Sequence, residues 1–136
     1  MNVKHTICIN SLLALALALT PFILFPVCSQ TRPDGSHMGC YYSGIIITVL
    51  GSIILLASLI AIFTSRFYAA SFITSAILAV LCWLIPEGII TVSGIGLCGD
   101  YEHACRAVTM PKAGIFIVLI VIVSIAGLII NFVKSK

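Results

Sequence analysis

Four long apolar segments constrain the fold of this chain more than any other feature. They cover about residues 6–27, 43–65, 67–86 and 112–133, and short polar segments separate them. Each segment holds about 20 residues, the length that an α-helix needs to cross the hydrocarbon core of a bilayer. The chain is 61% hydrophobic and 8% charged, with a mean hydropathy of +1.25. We therefore predict an all-α protein, a four-helix transmembrane bundle forming one integral membrane domain over residues 1–136.

The first apolar segment admits two interpretations. Lys4 ahead of an apolar run is typical of a secretory signal peptide, but the sequence Pro-Val-Cys at residues 26–28 lacks the small-x-small pattern of a cleavage site. A retained helix fits the length of the segment, and Pro21 should kink that helix because proline has no backbone N–H. We favour the retained helix.

Charged residues divide into two groups along the chain. Lys4, Arg66, Lys134 and Lys136 flank one set of helix ends, whereas the other three basic residues and all four acidic residues flank the opposite set. Basic residues favour the cytoplasmic side of a membrane, so we predict cytoplasmic N- and C-termini, by a margin of four basic residues to three. The chain has no basic block suited to a phosphate backbone, so nucleic acid is not an expected partner.

Four of the six cysteines lie in the two predicted outer loops, where thiols can oxidise. They are Cys28, Cys40, Cys98 and Cys105. The simplest pairing is local, Cys28 with Cys40 and Cys98 with Cys105, although four cysteines allow three pairings. A redox role stays open, because a cysteine pair on each outer loop resembles the layout of the bacterial quinone-linked enzymes that generate disulfides. Neither pair has the Cys-x-x-Cys spacing that lowers a thiol pKa, which disfavours that role.

Two of these cysteines also lie close to another soft metal ligand. Met38 stands two residues before Cys40, and His103 stands two residues before Cys105. Thioether, thiolate and imidazole together suit copper(I) or haem iron, so the four residues are a candidate metal or haem site. In the alternative interpretation His103 is solvated and the cysteines are paired, and disulfide-bonded cysteines cannot ligate. We expect no cofactor.

Glu87 is the acidic residue closest to a predicted membrane segment. An ionisable group inside a membrane is costly and commonly functional. Trp83, one turn earlier, is typical of the interface, so we interpret Glu87 as reaching the outer headgroups. The sequence contains no phosphate-binding loop, metalloprotease motif or serine-hydrolase motif, and a catalytic role is not the favoured interpretation.

Small residues recur at regular spacing on two predicted helices. The first series steps by seven residues along the second predicted helix: Gly44, Gly51, Ser58 and Ser65. The second steps by four residues along the third predicted helix: Ser71, Ser75 and Ala79, and the same step continues to Trp83 and Glu87. Small side chains let helices approach closely in a membrane. We interpret both series as packing faces inside the bundle, and the alternative is contact with a partner subunit.

Several short motifs resemble a known family. They are Pro26-Val27-Cys28, Met38-Gly39-Cys40-Tyr41, Trp83-Leu84-Ile85-Pro86, Ile95-Gly96-Leu97-Cys98-Gly99 and Ala104-Cys105-Arg106-Ala107-Val108-Thr109. Together they are similar to the small bacterial four-helix membrane proteins grouped as domain of unknown function 4418, over nearly the whole chain. This chain has Tyr41 where a histidine is common in the family, and His103 where a methionine is common.

The resemblance implies a location and a class of partner. It points to the bacterial cytoplasmic membrane and to association with ABC-type permeases. Combined with the composition, it favours an accessory or interaction subunit of a membrane complex, in contact with the lipid bilayer and with other membrane subunits. An outer-face thiol–disulfide redox protein or a protein that handles soft metals or haem is the competing class.

Overall fold

The computed structural model describes residues 2–27, 31–90, 93, 95–96 and 105–136. Within these residues four long helices form the protein. They are α1 (Val3–Leu19), α2 (Gly39–Phe63), α3 (Tyr68–Leu84) and α4 (Met110–Ser135). A π-helical turn (Thr20–Leu24) continues α1, a 3₁₀ turn (Ser65–Phe67) precedes α3, and a second π-helical turn (Cys105–Thr109) leads into α4. These bounds confirm the prediction of an all-α, four-helix protein.

All four helices, taken with their adjoining turns, are long and apolar enough to cross a membrane. The segments are Val3–Leu24, Gly39–Phe63, Ser65–Leu84 and Arg106–Ser135, and each overlaps one of the predicted spans. Helix α2 begins at Gly39, four residues before the start predicted from hydropathy, because the polar residues at that end continue the helix instead of breaking it. Length and composition thus support a multi-pass membrane protein.

Two prolines end regular α-helix where the sequence predicts a break. Helix α1 stops at Leu19, and Pro21 lies in the π-helical turn that follows. Helix α3 stops at Leu84, two residues before Pro86. In both cases the missing proline N–H removes an i→i−4 hydrogen bond, and the ring crowds the preceding turn. Gly88, with a φ of +76°, then reverses the chain after α3 in a conformation that glycine adopts without strain.

The helices form an antiparallel ring. Each helix packs mainly on its two neighbours in sequence, and α4 closes the ring by packing on α1. Asn2, near the N-terminus, and Lys134, near the C-terminus, meet at one end, where Lys134 Nζ donates a hydrogen bond to Asn2 Oδ1 at 2.9 Å. We call this the termini end. The opposite end, which carries the loops after α1 and α3, is the loop end.

The core follows a repeat of three and four residues, the spacing of left-handed helix bundles. On α1 the inward positions are Val3, Ile7, Asn10, Ala14 and Leu17, all buried. The buried apolar side chains fall into two clusters. The cluster at the termini end contains Ile7 and Phe72, and the larger cluster toward the loop end contains Leu17, Ile54 and Ile120.

Small residues bring α1 and α2 into close contact. A methyl group added at Gly51 would lie 3.0 Å from the backbone nitrogen of Ala18, so only glycine lets the two backbones approach this closely. Gly44 and Ser58 of the same series are also buried, as are Ser71, Ser75 and Ala79 on α3. These members pack inside the bundle, as interpreted from the sequence. Ser65 and Glu87 lie beyond the ends of α2 and α3 and are exposed, and Trp83, in the last turn of α3, is 38% exposed.

Candidate functional site

A layer of polar side chains separates the two apolar clusters. It consists of Asn10 on α1, Ser58 on α2, Ser75 on α3 and Ser124 on α4, and each of the four is fully buried. Asn10 Nδ2 donates hydrogen bonds to Ser58 Oγ at 3.1 Å and to Ser75 Oγ at 3.0 Å. One amide thus ties three helices together at the same level. We call these four residues the polar layer.

The polar layer keeps unused hydrogen-bonding capacity. Among the described residues, Asn10 Oδ1 and Ser124 Oγ have no hydrogen-bond partner, and neither has Ser71 Oγ, one turn from Ser75. An unpaired polar group in apolar surroundings costs free energy, so this pattern is not explained by stability alone. No member of the layer titrates near neutral pH. The layer is therefore suited to fixing helix register and not to transferring protons or carrying charge.

Threonine side chains bond to the backbone where α1 gives way to the π-helical turn. Thr48 Oγ1 on α2 donates to the Ala18 carbonyl oxygen at 3.0 Å. Thr109 Oγ1, at the start of α4, donates to the Phe25 carbonyl oxygen at 2.9 Å. Neighbouring hydroxyls commonly satisfy the carbonyl groups that a proline frees in a membrane helix. The irregular end of α1 is thereby bonded to both of its neighbours.

The first predicted ligand pair lies at the start of α2. Met38 precedes the helix in an extended conformation and is partly buried, and Cys40 in the first turn is 1% exposed. Aromatic rings cover this region, because His37 stacks on Tyr41 with ring centroids 4.2 Å apart. Tyr41 also meets Phe22 edge to face at 5.8 Å. Tyr41, which stands where the resembled family commonly has a histidine, thus contributes packing at the loop end.

The other predicted ligands and disulfide partners lie outside the described residues. Cys28, Cys98 and His103 fall in undescribed segments, and nothing is described of the side chain of Cys105, which begins the second π-helical turn. The two disulfides and the copper or haem site therefore stay predictions. Within the part of the chain that the structure describes, no three His, Cys, Asp or Glu side chains are grouped closely enough to hold a metal ion.

Glu87 lies on the surface at the loop end. It is exposed and follows the last residue of α3 by three positions, and its backbone nitrogen donates to the Trp83 carbonyl oxygen at 3.3 Å. The carboxylate is therefore outside the helical core. Its depth in a bilayer, and with it the interfacial interpretation, stays a prediction.

Charged residues that the structure describes lie at both ends of the bundle, and the two described acidic residues are at the loop end. Lys4 and Lys134 line a hollow at the termini end, and Arg66 lies in the 3₁₀ turn between α2 and α3 at the same end. Asp34 and Glu87 lie at the loop end. Asp34 accepts hydrogen bonds from the hydroxyl and backbone nitrogen of Ser36, and these bonds lower the pKa of its carboxyl group. Which end faces the cytoplasm stays a prediction.

The family follows from a match over most of the chain. The family model described as domain of unknown function (DUF4418) matches residues 10–130. The chain belongs to the DUF4418 family. Comparison with curated proteins and with solved structures found no match. The matched residues include most of α1, all of α2 and α3, and all but the last residues of α4, so the match reaches all four helices.

Sequence reasoning on this DUF4418 protein missed Asn10. The residue is the only amide in α1, and its partners are 48 and 65 residues away in the chain. A signal was nevertheless present. Asn10, Ser58 and Ser75 each occupy an inward position of the three-and-four repeat, and antiparallel helices joined by short turns place those positions at one level.

Proposed function

We propose that this DUF4418 protein is an accessory subunit of a larger membrane complex, and that the complex is an ABC-type transporter. The observation that carries the proposal is the filled interior of the bundle. Fully buried Ile7 and Phe72 lie on one side of the polar layer, and fully buried Leu17, Ile54 and Ile120 lie on the other. A helix bundle packed in this way does not itself conduct a polar substrate, so its surface is the part that remains to carry a function.

A lipid-facing surface on α3 and α4 is the contact area that we propose for the permease. The Trp83 ring lies over Gly114, where an added methyl group would overlap the ring. Apolar hollows of about 340 and 370 Å³ adjoin Trp83, and Val118 lines both of them. Helices in a membrane associate through close packing of complementary shapes, and a ring beside two hollows offers such a shape to a neighbouring helix. The bilayer covers the rest of this surface.

The proposal includes two disulfides at the loop end. Cys40 is buried in the first turn of α2, and Val27 packs on the same helix one turn further, where a methyl group at Gly44 would lie 3.2 Å from Val27 Cγ2. The chain next to Cys28 thus passes close to Cys40, which supports pairing of these two. A disulfide that closes a short loop stabilises it by roughly 2–3 kcal/mol in the chain-entropy account. Cys98 with Cys105 would be the matching pair of the second loop.

Purification from native membranes tests the proposed role. We expect a permease polypeptide to accompany the protein in a fixed ratio when a mild detergent extracts the complex, as measured by quantitative mass spectrometry. Val118→Trp should lower that ratio because the large ring projects from the wall that both hollows share and changes the shape offered to a neighbouring helix. Ile53→Trp is the matched control, since it adds the same ring on the exposed side of α2. A protein that elutes alone with the mass of one chain, or equal ratios for both variants, would contradict the proposal.

The same preparation tests the disulfides. A digest without reduction should contain a peptide that links Cys28 to Cys40. A link from Cys28 to Cys98 or Cys105 would show pairing between the two loops. If protein alkylated inside intact cells has free thiols at all of these positions, neither loop contains a disulfide and this part of the proposal is wrong.

A further inference from the structure

A hollow of about 670 Å³ opens at the termini end, and all four helix ends line it. Lys4 comes from the first turn of α1, Ser65 from the turn after α2, Tyr68 from the start of α3, and Lys134 from the end of α4. We call it the basic pocket. Its volume lies in the range of pockets that hold small molecules or headgroups.

Among the described residues, no acidic side chain lines the basic pocket beside its two lysines. The chain carries four acidic residues, and none of them lies within residues 2–5, 64–68 or 131–136, which form this end. Lys134 Nζ donates to Asn2 Oδ1 at 2.9 Å, and this bond uses one of the three protons of its ammonium group. The pocket therefore presents two positive charges, and the ammonium groups keep further N–H donors for a ligand.

Neutral donors in the pocket add to this charge. The Tyr68 hydroxyl is shielded from solvent and has no hydrogen-bond partner among the described residues. Asn2 precedes α1 without capping it through its side chain, because its Oδ1 accepts from Lys134 instead. The first N–H groups of α1 therefore receive no side-chain cap, and their positive partial charge lies beside Lys4. An anion with several acceptor oxygens matches this set of donors.

We propose that the basic pocket binds the phosphate group of an anionic phospholipid. The pocket lies where four apolar spans end, which is the level of the headgroups in a bilayer. Basic hollows between membrane helices bind phosphate headgroups through the charge of lysine or arginine, and lysine serves phosphate as a point charge. A free phosphate ester would present the same chemistry from the aqueous side, and the test separates the two sources.

The test titrates the full-length protein, stripped of lipid in a neutral detergent, with short-chain phosphatidylglycerol and, separately, phosphatidylcholine. Native mass spectrometry measures each dissociation constant. We expect phosphatidylglycerol to bind more tightly and phosphatidylcholine to bind weakly. Each lysine near the surface of a membrane contributes a factor of about five to such binding. Lys4→Gln with Lys134→Gln should therefore weaken phosphatidylglycerol binding by about 25-fold.

The matched control removes the same charge from the same end of the bundle. Arg66→Gln with Lys136→Gln deletes two positive charges that do not line the pocket, and phosphatidylglycerol binding should fall by less than about twofold in moderate salt, which screens distant charges. An equal loss of phosphatidylglycerol affinity in the two double variants would overturn the proposal, since it would show that the lipid responds only to the total charge at this end. Equal affinity of the wild type for both lipids would overturn it as well.

Tyr68→Phe separates binding from folding. A bond from the hydroxyl to a phosphate oxygen should make the variant bind phosphatidylglycerol about tenfold more weakly, while its thermal unfolding without lipid is unchanged or improved. Unaltered binding in Tyr68→Phe together with unaltered binding in the lysine variant would refute the site.

Inorganic phosphate identifies the source of the ligand. If millimolar phosphate leaves phosphatidylglycerol binding unchanged, the ligand is the lipid. If phosphate displaces the lipid and binds alone with the same loss in the lysine variant, the pocket serves a free phosphate ester, and the recognition chemistry proposed here still holds.

Discussion

The hydrogen bonds of Asn10 allow a quantitative test of the polar layer. Asn10→Ala removes two side-chain bonds between helices, to Ser58 at 3.1 Å and to Ser75 at 3.0 Å. Such bonds in membrane proteins contribute about 0.6 kcal/mol each on average and about 1.7 kcal/mol at most. The loss of both should therefore lower the free energy of unfolding by about 1.2 kcal/mol, and the small cavity left by the side chain adds to that loss.

A double-mutant cycle isolates the bond from the cavity. The cycle compares Asn10→Ala, Ser75→Ala and the double variant, and the coupling energy should be about 0.6 kcal/mol. Ser71→Ala supplies the matched control, because Ser71 is a buried serine one turn away on the same helix whose hydroxyl has no partner among the described residues. Its coupling to Asn10 should be near zero. Reversible unfolding in mixed micelles measures all six free energies.

The outcome also decides whether the unpaired atoms matter. Ser71→Ala removes an unpaired buried hydroxyl and should leave stability unchanged or raise it. A coupling of Asn10 to Ser71 as large as its coupling to Ser75 would refute the assignment of the bonds. So would a coupling to Ser75 below the error of measurement.

Four further predictions concern other parts of the bundle. Gly51→Leu should lower the unfolding temperature strongly, because even its Cβ would lie 3.0 Å from the backbone of α1, and circular dichroism checks this. A membrane-impermeant maleimide should fail to label Ser135→Cys in intact cells if the termini are cytoplasmic, and labelling would reverse the topology. Purified protein kept under reducing conditions should contain neither copper nor haem, whereas a stoichiometric cofactor lost in His103→Ala would establish the soft-ligand site. Ser36→Ala should raise the pKa of Asp34 part of the way toward its usual value, because it removes the hydroxyl hydrogen bond and keeps the bond from the backbone nitrogen, and NMR titration measures it. The contribution of this carboxylate to the loop is present above its unfolded pKa and is lost as the pH falls through the lower folded value.

The sequence was sufficient to predict the four helices because membrane spans are recognised by length and apolarity alone. The same holds for the breaks at Pro21 and Pro86, since proline acts on its own turn of helix whatever surrounds it. The burial of Gly51 also followed from spacing, because a small residue every seven positions stays on one face. These features depend on local chemistry.

The polar layer and the basic pocket depend on contacts between distant segments, and the sequence did not predict them. Asn10 is the only amide of α1, and its inward position in the repeat does not show which residues of the other helices it bonds to. Lys4 and Lys134 are 130 positions apart, and they meet only because an even number of antiparallel helices returns the chain to its starting end. Ser65 was assigned to the packing face of α2, but the helix ends at Phe63 and the serine is exposed.

The positions of the interhelical bonds argue that the bundle moves as one body. Helix α1 is bonded to α4 at the termini end through Asn2 and Lys134, and the segment after α1 is bonded to Thr109 at the loop end. At the centre, Asn10 bonds to both α2 and α3. Sliding α1 by one turn would break bonds at all three levels and move Asn10 into an apolar cluster, at a cost of several kcal/mol for an unpaired amide. If the bundle has the role proposed above, it would contribute a fixed surface to its complex, and motion would be expected in the partner or at the contact between them.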